Sequence, residues 1–115
     1  MTDLDVVDLR GTARRLKEFR RRTHVLLIWD PGADDARRAA WRDRRAEEDR
    51  RWIWLAAEVA VATSAPPGLE PGMHLVSRWG GLVKSWPPGI WDLEAVEKEL
   101  LSWEARDGCD LGAAP

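Results

Sequence analysis

The stretch Leu26–Trp41, LLIWDPGADDARRAAW, joins two kinds of pattern without a gap. Its first residues close the continuous apolar run HVLLIW (24–29), which suits a central strand covered on both faces. Pro31-Gly32 stops that run sharply. From Asp34 to about Arg50 the pattern turns helical, with Asp34 and Asp35 where the helix dipole favours acids. Ala36, Ala39 and Ala40 give a small-residue face, and acids interleave with arginines along the rest, as on a solvated face laced with ion pairs. A second apolar run, WIWLAAEVAVA (52–62), supplies a return strand. Strand, helix and strand in this order predict two parallel strands joined by a crossover helix.

Working outward, DVVDLRGTARRLKEF (5–19) reads as a hairpin turning at Gly11, because glycine is costly inside a helix. TSAPPGLEPG (63–72) is a proline- and glycine-rich loop. MHLVS (73–77) and LVKSW (82–86) flank Arg78-Trp79-Gly80-Gly81 and predict a second hairpin. Asp92 is placed to cap a last helix, with Trp91 stapled onto Val96. Leu93, Val96, Leu100 and Trp103 share one face of that helix, and Gly108 sits where a C-terminal cap belongs. The order hairpin, β, α, β, loop, β, β, α predicts a single α/β domain over residues 1–115. Its core covers about residues 5–104, and residues 108–115 form a flexible tail. The expected architecture is of three-layer type, a central mixed sheet of four to five strands with flanking helices.

Length and composition bound the function. At 115 residues the chain is one domain with room for one core. Its 18 basic and 20 acidic residues leave a net charge of −2, which argues against nucleic acid as the main partner. The charge is unevenly spread: Arg10–Arg22 holds seven basic residues and one acid, Asp92–Asp110 seven acids and two bases. Solvated surfaces of opposite sign explain this most simply. The single cysteine, Cys109, excludes an internal disulfide and any multi-thiolate metal site. With no signal-like start and no apolar run of membrane-spanning length, the expectation is a cytoplasmic chain without membrane contact. Eight tryptophans stand beside one Phe and no Tyr. They need not all fit inside so small a domain, and an exposed patch drawn from Trp29, Trp79, Trp86 and Trp91 could serve a protein partner or a homo-oligomer.

Taken together, several stretches resemble the thioredoxin-like redoxins, the group of peroxiredoxins and thiol-disulfide reductases with a Trp-rich active site. DLRGTARRLKEFRRRTHVLLIW (8–29) is similar to their opening. IWDPGADDAR (28–37) fills the slot of their FWATWCPPCR. The resemblance puts Trp29 on the motif's Trp, Ala33 and Ala36 on its two cysteines, and Arg37 on the Arg that follows. PGMHLVSRWGGLV (71–83) is similar to PTTFLIDRDGRIV, which puts Pro71 on the cis-proline and Gly80 on the turn glycine. DLEAVEKELLSW (92–103) suits the final helix. The resemblance therefore implies a thioredoxin-like fold, with the second crossover helix reduced to the 63–72 loop.

The departures bear on function. With Ala33 and Ala36 in place of thiols there is neither a nucleophile nor a resolving cysteine, so disulfide exchange has no starting chemistry. Pro31 is not followed by the Thr and Cys of the peroxiredoxin pattern. Asp34 and Asp35 add negative charge where a thiolate or bound anion would need the opposite. His24 and His74 have no ligand at metal-binding spacing, and no cofactor motif is present. Asp30, Asp34 and Asp35 read as helix-cap and solvated charge rather than as an acid–base set, and Glu58 as a strand end or exposed face.

Three readings follow. The first is a redox-inactive thioredoxin-like domain that binds a protein or peptide. Its vestigial groove would be formed by Trp29, Pro31, Ala33, Ala36, Pro71, Gly72 and Met73. The second is an atypical redox or thiol-dependent protein using Cys109, or an unusual enzyme using the Asp30, Asp34 and Asp35 cluster. The third is a weak nucleic-acid contact through Arg14, Arg15, Lys17, Arg20, Arg21 and Arg22. No catalytic constellation is recognisable, and the expectation is a non-enzymatic module.

Overall fold

The computed structural model describes residues 4–19, 21–51 and 57–102. The chain forms β1 (Asp5–Asp8), β2 (Ala13–Arg15), a one-turn 3-10 helix (Leu16–Phe19), β3 (Val25–Trp29), α1 (Asp35–Arg51), β4 (Glu58–Ala62), β5 (Gly72–Val76) and β6 (Leu82–Trp86). A last helix, α2, runs over 93–102. The strands make one sheet in the order β2-β1-β4-β3-β5-β6. β3 and β4 are parallel, joined by α1 as the crossover. The remaining neighbours are antiparallel. The sheet has six strands rather than four or five, because the N-terminal hairpin adds two: β1 pairs with β4, and β2 continues the edge.

Local chemistry explains the turns. Asp8 Oδ1 accepts from the amides of Arg10 and Thr12, and Gly11 takes φ +87°, a conformation that costs glycine little. In the second hairpin Ser77 Oγ accepts from the amides of Trp79 and Gly81, and a register shift between Leu75 and Val76 twists β5 against β6. Asp92 Oδ1 accepts from the Glu94 amide, so the expected cap of α2 is in place. Trp91 and Val96, the staple pair, are both buried. Trp103 and Gly108 lie outside the described residues.

Alternation along β3 divides the core in two. Leu26 and Ile28 join Val59, Met73 and Leu75 beneath both helices, where Trp41 of α1 and Leu93, Val96 and Leu100 of α2 pack. Val25 and Leu27 face the other way, against Val6, Leu16, Ala60 and Val76. That second face is covered by the 3-10 helix and by Leu69 of the 63–72 loop, so its layer is thin where the crossover helix is reduced to a loop. Trp41 Nε1 donates to the Gly89 carbonyl at 2.8 Å, tying α1 to the segment that leads into α2.

Candidate functional site

The strand-to-helix turn is built from Asp30 outward. β3 ends at Trp29, and the Ala33 amide donates back to the Asp30 carbonyl to close the turn. Asp34 Oδ1 accepts from the Arg37 amide at 2.8 Å, so Asp34 is the N-cap of α1. Arg37 then reaches back, its Nη1 2.6 Å from Asp30 Oδ2. The Asp30 side chain is 5% exposed, so this ion pair fixes the turn from within. Pro31, Gly32 and Ala36 are exposed and Ala33 is half-buried. Ala36 therefore faces solvent instead of packing as part of a small-residue face; Trp41 anchors the helix.

Antiparallel pairing of Trp29 with Gly72 brings the residues that follow β3 alongside those that precede β5. Pro71 is exposed at this end. The described residues contain no cis peptide bond, so Pro71 differs from the cis-proline on which the resemblance placed it. Gly72 is buried, and a Cβ there would collide with the Trp86 carbonyl oxygen, which is why β5 and β6 can approach so closely only with glycine. Met73 is core, paired with Ile28 on one side and Trp86 on the other. His74 is buried; its Nε2 donates to the Glu70 carbonyl and its Nδ1 bonds Ser85 Oγ, both at 2.8 Å. It therefore shapes the segment before Pro71 as a satisfied core histidine.

The tryptophans separate clearly. Trp29 and Trp86 are half-buried on opposite faces beside Gly72, Trp91 is core, and Trp79 is 59% exposed at the β5–β6 turn. The four do not gather into one surface: Trp91 is buried against the core and Trp79 lies at the far end of the sheet from Trp29 and Trp86.

Other candidates resolve into structural roles. His24 Nδ1 accepts from the Arg78 amide. Glu58 is half exposed at the start of β4 and pairs with Arg45 at 3.3 Å. Among the described residues no three His, Cys, Asp or Glu side chains converge as metal ligands. No helix among them is long and apolar enough to cross a membrane. Cys109 and Arg20 lie outside the described residues.

One residue was missed by the sequence reading. The alternation of acids and arginines places Glu48 on the solvated face of α1, yet it is fully buried, and among the described residues neither of its carboxylate oxygens has a hydrogen-bond partner. Burial pushes its carboxyl up to about 7. Arg45, 3.8 Å away, and the nearby Ala57 amide oppose the rise, while Asp49 and Glu58 add to it. The signal was the spacing: Glu48 lies seven residues after Trp41, on the same helix face.

No family model and no curated protein matches the chain. Among solved structures it is similar to the pneumococcal exposed lipoprotein thioredoxin Etrx1 of Streptococcus pneumoniae strain TIGR4. The identity is 16% and the TM-score 0.52, over 88% of this chain and 99% of that one. The fold is thioredoxin-like, with alanines at both positions that the sequence resemblance aligned to the redox cysteines.

Proposed function

We propose that this chain is a redox-inactive thioredoxin-like module that binds a protein or peptide at the sheet end holding the β3–α1 turn and Pro71. The observation that carries the reading is the Trp29–Gly72 pairing. It sets the exposed Pro31, Gly32 and Ala36 beside the exposed Glu70 and Pro71, with a half-buried tryptophan on either side of the sheet. The ion pair between the buried Asp30 and the partly exposed Arg37 ties this turn together without a thiol. A sheet end with exposed turn residues and aromatic flanks suits an extended chain segment.

The test is a pull-down from native lysate under reducing and mildly oxidising conditions, with wild type, Cys109→Ser and Pro71→Arg as baits. The reading expects one partner recovered with wild type and Cys109→Ser in both conditions and lost with Pro71→Arg. A partner retained only by oxidised wild type overturns it and assigns the interaction to Cys109 instead.

A further inference from the structure

At the opposite end of the sheet, where β3 and β4 begin, lies an open groove of about 1050 Å3. Its walls come from segments far apart in sequence: the β1–β2 hairpin, the 3-10 helix, the approach to β3, and the second half of α1. Six basic side chains line it, Arg10, Arg14, Lys17, Arg22, Arg42 and Arg45, against four acids. The acids are already engaged. Asp8 holds two hairpin amides and lies 3.8 Å from Arg14, and Glu18 accepts from the Arg15 amide. Asp49 and Glu58 both face Arg45. Among the described residues the side chains of Arg10, Arg22 and Arg42 have neither a hydrogen bond nor an ion pair. A chain of net charge −2 thus carries a groove with two more positive than negative side chains.

We propose that this groove binds single-stranded nucleic acid. Three unpartnered guanidiniums on three separate elements match several anionic groups spaced along a chain better than one small anion. Guanidinium binds phosphate in bidentate fashion. The half-buried Phe19 among the lining residues offers an aromatic ring on which a base can stack. Arg14, Lys17 and Arg22 of the basic segment line the groove, whereas Arg15 is turned to Asp5 at 2.8 Å. The groove is remote from the Pro71 surface, so this inference stands or falls separately from the proposed peptide site.

Fluorescence anisotropy of a labelled single-stranded oligonucleotide tests it, with the full chain titrated at 50 to 200 mM salt. Three phosphate contacts on a single strand give a log–log salt slope of about −2, an affinity loss of roughly 20-fold over that range. Each of Arg10→Gln, Arg22→Gln and Arg42→Gln should flatten the slope by about 0.7. Arg38→Gln, outside the groove, should leave it unchanged, and circular dichroism of each variant reports its fold. Absence of binding at 50 mM salt overturns the proposal. So does binding that the three groove variants leave intact, or equal displacement by polyglutamate of matched charge, which would assign the groove to acidic peptides.

Discussion

Arg37 Nη1 and Asp30 Oδ2 stand 2.6 Å apart, and through them the first turn of α1 is bonded back to the residue that follows β3. The carboxylate is almost wholly buried and the guanidinium partly exposed, so the pair's strength lies mainly in what is lost when one member is removed. Arg37→Met should destabilise the fold by about 1–3 kcal/mol, because it leaves a buried charge without its donor. Asp30→Asn combined with Arg37→Met should recover part of that loss, which a double-mutant cycle in urea would measure.

Glu48 makes stability fall as pH rises. Its carboxyl is lifted from 4.5 to about 7 by burial, so the folded state holds a proton that the unfolded chain releases. The stability is fully present below about pH 4.5 and is lost progressively as pH rises through 7. The whole change corresponds to about 3 kcal/mol. Glu48→Gln should therefore raise the urea midpoint at pH 8 and change it little at pH 5. An equal shift at both values would contradict the burial argument.

Trp41 joins α1 to the loop before α2 in two ways, by filling the core and by donating to Gly89. Trp41→Phe keeps most of the volume and should cost about 1–2 kcal/mol for the lost hydrogen bond. Trp41→Ala also opens a cavity and should cost about 3–5 kcal/mol. Denaturant unfolding of the two variants separates the contributions.

At Gly72 the backbone of Trp86 approaches too closely for a side chain. Gly72→Ala must push the Trp86 carbonyl away, at a cost of about 1–3 kcal/mol. Gly11→Ala, with open space around its Cβ, meets only the backbone cost of its positive φ, about 1–2 kcal/mol. Amide hydrogen exchange should show β5–β6 protection weakened by the first substitution and unaffected by the second.

The elements readable from the sequence are those set by neighbours along the chain. HVLLIW is a strand because both faces need apolar side chains, Pro31-Gly32 ends it, and Asp34 and Asp92 cap helices through amides two or three residues away. The absence of thiols at Ala33 and Ala36 was equally plain. Where the sequence reading failed, the deciding contact was distant. Pairing of β1 with β4 enlarges the sheet to six strands, and it depends on a hairpin folding back across the whole β3–α1–β4 unit. Glu48 belongs to the interior because it shares the helix face of Trp41, and its charged side chain masked that spacing.

By itself, then, the sequence determined the order of strands and helices, the caps and turns, and the alanines at positions 33 and 36, since each rests on residues within a few positions of one another. Only the tertiary structure decided which charges are buried and which share a surface. Arg10, Arg22 and Arg42 meet in one groove, and Trp29 meets Gly72, because chain closure brings together groups that no local pattern relates.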